Sequence, residues 1–315
     1  MKELVRSNDL VMLSWLRARL AEEGIELFLL DQHASAVDGS IGILPRRAMV
    51  ADEHHARAKA ILERGPDGPA SVDTEDALLD GRVIVRQPAD GYRISMDAVF
   101  LAACVAPKPG EIVLDAGSGV GAAALCLAAR CAGVEIVGLE LHDSLADFAT
   151  ENAGANNFAD RVRFVTGDIL RPPPAVAQRQ FDHVMMNPPF HDADATRASA
   201  NALRAAAHTE GEAKLADWIG VALRRVKDRG TITLVHRADR LAEILSLLEG
   251  AAGDATVFPL WPKVDTQAKR VLVQATKASK GKLHLLPGLV VHNQDGSLTP
   301  LAEDVIRHAK GIDLG

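Results

Sequence analysis

A carboxamide, two prolines and an aromatic ring stand in a row at Asn187-Pro188-Pro189-Phe190. Consecutive prolines withhold two backbone donors, and the first biases Asn187 away from α geometry. The chain there is stiff and extended, with bare carbonyls beside an amide oxygen. Asn187 Oδ1 and the Pro188 carbonyl can accept the two hydrogens of a planar NH2 group, and Phe190 can stack on the ring that bears it. A second constellation lies upstream, at Asp115-Ala116-Gly117-Ser118-Gly119-Val120-Gly121. Its glycines permit a sharp turn and close approach of backbone to a ligand. Asp115, just before them, can engage an ammonium directly or through water. Glu140 stands at a distance suited to a ribose diol, and Asp168, in Gly167-Asp168-Ile169, can accept from an adenine amino group. No Gly-Lys-Ser/Thr follows the glycines, so a P-loop is excluded; Gly117-x-Gly119-x-x-Ala122 with Glu140 also fits a nicotinamide dinucleotide fingerprint.

The elements that must position these residues alternate strand and helix. Ile112–Asp115, Glu135–Glu140, Val162–Thr166 and the apolar run before Asn187 read as strands, with helices over 120–130 and from 143 to about 155 between them. Residues 230–235 predict a fifth strand between helices over 214–226 and 238–248, and 256–261 with 270–275 a closing hairpin. An arm over 283–292 and a helix over 300–309 follow. This alternation predicts a doubly wound α/β fold, a mostly parallel Rossmann-like sheet of seven strands. Asp115 with its glycines, Glu140, Asp168 and Asn187 then fall at successive strand ends, where open α/β sheets bind ligands. The polar, Ala-rich residues 191–210 suit a loop over that edge.

Ahead of this domain, residues 1–64 predict a small α+β unit of order βαββα, and the composition of residues 65–79 reads as a linker to a domain over 80–315. Leu10, Leu13, Leu16 and Leu20 mark the apolar face of its first helix; His54 and His55, adjacent on a helix, share no face and read as solvated rather than metal-binding. With 48% apolar and 24% charged residues the chain is of soluble globular type. No apolar run reaches membrane-spanning length and no signal-peptide core opens the chain. Cys104, Cys126 and Cys131 have no zinc spacing and suggest reduced, buried thiols in a cytoplasm. The net charge is −7, and residues 1–80, with 9 Lys+Arg against 15 Asp+Glu, hold −6 of it. Local basic clusters at 224–240 and 261–282 are candidate RNA tracks or solvated faces. Trp15, Trp218 and Trp261 read as packing residues.

Taken together, the glycine turn, Glu140, Asp168 and Asn187-Pro188-Pro189-Phe190 resemble the class I S-adenosylmethionine-dependent methyltransferases of the amino-methylating branch. Gly91-Tyr92-Arg93-Ile94-Ser95-Met96-Asp97-Ala98 and the strand at Lys269-Arg270-Val271-Leu272-Val273 are similar to the tRNA(Val) adenine-N6 methyltransferase group. The resemblance spans roughly 80–300. It implies S-adenosyl-L-methionine as cofactor, with Asp115, Gly117, Gly119 and Gly121 around its methionine part. It further implies Glu140 on the ribose, Asp168 and Ile169 at the adenine, and Arg93 with Ser95 at the methionine carboxylate. Asn187, Pro188 and Phe190 would be the catalytic set, no metal would be needed, and the partner would be RNA, most simply tRNA in the cytoplasm. Phe190-His191-Asp192 also resembles the ribosomal guanine-N2 methyltransferases, so guanine N2 and a protein glutamine stay open as acceptors beside adenine N6, and a nicotinamide oxidoreductase stays open on the fingerprint. The front unit resembles small prokaryotic signal-transducing modules in its pattern, with a regulatory or docking role.

Overall fold

The computed structural model describes residues 1–7, 10–22, 25–30, 46–64, 73–88, 92–190 and 213–315. The chain divides into two compact units, the first running to Val72 and the second starting at Asp73.

In the first unit, β1 (Lys2–Ser7), α1 (Leu10–Glu22), β2 (Phe28–Leu30), β3 (Arg46–Val50) and α2 (His55–Arg64) follow the expected βαββα order. β3 lies between β1 and β2, antiparallel to both. Leu13, Leu16 and Leu20 face a core shared with Ile25, Leu27, Val50 and Ile61. Ile25 and Leu27, expected in a strand, are instead buried outside any ladder. His55 is not solvated as expected: a ring nitrogen bonds the Glu3 carbonyl at 3.0 Å, which pins α2 to β1.

The second unit opens with a hairpin of β4 (Thr74–Leu78) and β5 (Val83–Gln87), then α3 (Met96–Cys104). Residues 74–78, whose polarity suggests the end of a linker, are thus a strand. Thr74, Glu75 and Asp76 hide it from an apolar-pattern reading, and its support comes from pairing with β5. The doubly wound part runs β6 (Ile112–Ala116), α4 (Ala122–Arg130), β7 (Glu135–Glu140), α5 (Asp143–Ala155), β8 (Val162–Thr166), the short α6 (Pro174–Ala177) and β9 (Phe181–Met186). After the segment at 191–212, which lies outside the described residues together with the expected loop over the site, come α7 (Leu215–Arg225), β10 (Val226–Arg237), α8 (Leu241–Leu248), β11 (Ala252–Trp261) and β12 (Arg270–Lys277).

These seven long strands order as β11-β12-β10-β9-β6-β7-β8. The arm expected over 283–292 contributes two further two-residue strands, β13 (His284–Leu285) and β14 (Leu289–Val290), both parallel to β11. α9 (Pro300–Ile306) closes the order of elements. β12 alone among the long strands runs against its neighbours. Its first residue, Arg270, lies opposite Arg237, the last of β10. The apolar runs of β6, β7 and β9 are buried on both faces, between a cluster around α3 and α4 and another around α7 and α8, as a parallel sheet requires. No described helix is long and apolar enough to cross a membrane.

Candidate active site

The carboxyl ends of β6, β7, β8 and β9 open into one cavity of about 580 Å³, a size typical of small-molecule sites. The tip of β6 and its turn supply Asp115, Gly117 and Gly119. β7 supplies Glu140, the turn after β8 Asp168 and Ile169, and the exit of β9 Asn187, Pro188 and Phe190. Arg93 and Ser95 line it from the segment that leads into α3.

Gly121 is the exception among the candidates, for it is absent from the lining. Its φ of +88° starts α4, and a Cβ there would meet the Phe164 ring at 2.7 Å, so it serves the packing behind the turn. Gly119, with φ +55°, is a cradle residue in the strict sense, since a Cβ would run into the Tyr92 hydroxyl and project where the turn meets the cavity. Backbone N–H groups fix the turn. Gly117 and Ser118 donate to the Leu139 carbonyl at 2.8 and 3.0 Å. Gly119 donates to Glu140 Oε2 at 2.8 Å, and His142 donates to Glu140 Oε1 at 3.0 Å. Glu140 is therefore rigid, yet each carboxylate oxygen keeps a lone pair for a ligand hydroxyl. Asp168 has two roles in one side chain: Oδ1 accepts from Leu170 N at 2.9 Å as a turn former, while the residue lines the cavity. Ser95 caps α3 by accepting from Asp97 N at 3.3 Å, and Arg93 donates to the Thr74 hydroxyl.

Asp115 is 2% exposed and its Oδ2 has no hydrogen-bond partner. Burial, reinforced by the Glu140 charge and partly offset by the Ala124 backbone N–H, pushes its carboxyl up to about 7. A buried carboxylate oxygen with nothing to bind, at the mouth of a glycine turn, suits a cationic group brought by a ligand. An ammonium supplies that charge, and the dinucleotide reading offers nothing equivalent at this position. Tyr92 lies over the same turn with its hydroxyl held protonated by burial and by the Glu140 and Asp115 charges.

At the exit of β9 Asn187 Oδ1 is likewise buried and without a partner. Phe190 meets His236 edge-on, with centroids 5.3 Å apart and planes at 87°, and the Arg270 guanidinium stands 4.3 Å from its centroid. His236, 0% exposed, makes no well-formed hydrogen bond through either ring nitrogen. Burial and then the Arg240 charge, with Arg270 behind it, hold its pKa down at about 4 although the Pro189 backbone pulls the other way. It is neutral at physiological pH.

Several lining residues escaped the sequence. Trp218 of α7, expected only to pack, covers Gly117 and borders the cavity with its indole nitrogen unpartnered. Tyr92, Asp97 and Arg270 border it too. Tyr92 and Asp97 lie inside the segment 91–98 that carries the family resemblance, which was the available signal. Arg270 had a weaker one, and His236, behind Phe190, had none.

A seven-stranded sheet with one reversed strand, and a glycine turn and an Asn-Pro-Pro-Phe corner on the same rim, are the architecture of an S-adenosylmethionine-dependent methyltransferase domain of class I. Comparison with known proteins agrees: residues 93–212 match the family described as "Methyltransferase small domain", and residues 1–65 match the one described as "Putative prokaryotic signal transducing protein". The chain is 29% identical over 169 residues to a "tRNA1(Val) (adenine(37)-N6)-methyltransferase" of Porphyromonas gingivalis, covering 52% of this chain and 66% of that one. It is 29% identical over 201 residues to the protein of the same name from Trichodesmium erythraeum, covering 61% and 81%. Among solved structures, a "predicted O-methyltransferase, protein Atu636" of Agrobacterium tumefaciens superposes with a TM-score of 0.57 at 26% identity, covering 69% of this chain and 97% of that one.

Proposed function

We propose that the protein methylates an exocyclic amine of a nucleobase, adenine N6 in a tRNA. The observation that carries this reading is the buried, partnerless Asn187 Oδ1 on the cavity that also holds the unpaired Asp115. The names of the relatives favour adenine N6 in tRNA(Val) over other amines. When bound, S-adenosylmethionine supplies an electrophilic methyl group on a sulfonium. Asp115, the backbone of Gly117 and Gly119, Arg93 and Ser95 would hold its methionine part, Glu140 its ribose, and Asp168 with Ile169 its adenine.

An aromatic amine is a weak nucleophile because its lone pair is delocalised into the ring. Asn187 Oδ1 and the Pro188 carbonyl, accepting its two hydrogens, favour a pyramidal nitrogen and localise that pair. Phe190 stacks on the base and fixes its plane, so the amine is aimed along one line. The amine proton leaves to solvent after transfer. A base inside a folded RNA must be turned out of its stack to reach Asn187, and stacking on Phe190 offsets that cost.

The test is nucleoside mass spectrometry after incubation of the full chain and S-adenosylmethionine with an in vitro transcript of tRNA(Val) and, separately, with bulk rRNA. N6-methyladenosine in the tRNA is the expected product. N2-methylguanosine, or a methylated protein glutamine with no labelled RNA, would replace the adenine reading. Calorimetry with S-adenosylhomocysteine against NAD should give binding to the first only. RNA affinity should fall steeply with salt if Lys and Arg meet phosphates.

A further inference from the structure

Phe190 is gripped by two neighbours, and one of them is anchored elsewhere. Arg270, at the start of β12, donates from Nε to Asp97 Oδ2 at 3.1 Å and from Nη1 to the Lys269 carbonyl at 3.3 Å. Asp97 sits in the first turn of α3, where the helix N-terminus favours a carboxylate, and is 14% exposed. The guanidinium is planar and so tethered stands as a wall, 4.3 Å from the Phe190 centroid. His236 meets the ring at 87° and the guanidinium stands over it, so the orientation of Phe190 is held from two directions. Arg270, Asp97 and Phe190 all border the cavity, while 173 residues of sequence separate Asp97 from Arg270.

We propose that Arg270 is a positioning residue for the acceptor: anchored by Asp97, it fixes the plane of Phe190 so that a base stacked there presents its amine to Asn187 Oδ1. This inference rests on the reading of Asn187 and Phe190 as the acceptor corner. Asp97 follows Ser95 by two residues, so the same ion pair ties the segment bordering the donor end to the wall at the acceptor end. A loosened Phe190 would hold the stacked base less firmly and aim its amine less well, while leaving the cradle around Asp115 intact.

The experiment uses the full chain and the tRNA(Val) transcript, with steady-state KM and kcat for RNA and calorimetric Kd for S-adenosylhomocysteine. Arg270→Gln should raise KM for RNA about tenfold with a smaller fall in kcat, and leave the Kd within about twofold. Arg270→Lys, which keeps the charge and loses the planar fork, should recover only part of this. Asp97→Asn should act in the same direction, and the double variant should be no worse than Arg270→Gln, because both act through one contact. An Arg270→Gln enzyme with unchanged KM and unchanged kcat beside an inactive Asn187→Ala enzyme overturns the positioning role and leaves the acceptor corner standing. An Asn187→Ala enzyme that still turns over removes the corner and the proposal with it. A Kd shifted as much as KM would reduce Arg270 to a general structural role and so overturn the proposal. Should Arg270→Gln not fold, Asp97→Asn carries the same KM-against-Kd comparison, since it removes the tether and keeps the cation.

Discussion

The two ends of the cavity are built from different materials. At the donor end the main chain does the holding: N–H groups of Gly117, Ser118, Gly119, His142 and Leu170 are each committed to a carbonyl or carboxylate at 2.8 to 3.0 Å. At the acceptor end side chains hold one another through ring contacts and one ion pair, and Asn187 Oδ1 and both His236 nitrogens lack well-formed hydrogen bonds. A main-chain cradle tolerates little change and suits a ligand that never varies. A side-chain wall can be altered one residue at a time and suits the variable partner. On the proposed reading, affinity for the donor and choice of acceptor would reside in separable parts of one pocket.

The sharpest way to break that separation is Asn187→Ala. Loss of the acceptor should lower kcat by about 10²–10³, while calorimetry finds S-adenosylhomocysteine bound as before; weakened cofactor binding would merge the two ends. Next in size is Gly119→Ala, which places a Cβ against the Tyr92 hydroxyl at a φ of +55°. We expect a stability loss of roughly 1–3 kcal/mol by denaturant titration together with a large loss of cofactor affinity. Gly121→Ala, beside Phe164 and away from the cavity, should cost stability on a similar scale but leave Kd nearly unchanged, so equal Kd losses in the two variants would contradict the division drawn between these glycines.

Asp115 sharpens the comparison through pH. Its carboxyl is held up at about 7 by burial, so the folded state keeps a proton that the unfolded chain releases in the ordinary carboxylate range. This contribution to stability is therefore largest at low pH and declines as pH rises toward 7. A ligand ammonium reverses the preference, so cofactor affinity should climb over pH 6 to 8, approaching tenfold per unit below 7. Asp115→Asn should flatten both dependences, and an affinity that still climbs in that variant would assign the titration elsewhere. The smallest effect is expected at His236. Its pKa near 4 leaves it neutral throughout this range, so kcat for His236→Asn should have the same pH shape as the parent, at a reduced level set by a looser Phe190.

Much of this is legible in the sequence. The long strands announce themselves as apolar runs buried on both sides, and the rule that ligands meet the carboxyl edge then brings Asp115, Glu140, Asp168 and Asn187 together. What stayed hidden has physical reasons. β4 carries Thr74, Glu75 and Asp76 because a two-stranded hairpin needs no apolar run, and Ile25 and Leu27 fill a core without joining a ladder. Gly121 belongs to the glycine run by spacing but faces Phe164, which only the fold of the turn decides. Arg270 and Asp97 meet through tertiary structure alone, and His236 is one histidine among 11 in the chain until its place behind Phe190 is seen.

The reversed direction of β12 has a consequence for how such a protein can diversify. Because that strand begins where its neighbours finish, the bend joining it to β11 returns to the catalytic mouth. Residues inserted or trimmed at 262–269 would reshape the entrance for incoming molecules without re-registering a single parallel strand, leaving the methyl-donor cradle as a constant platform beneath a replaceable porch.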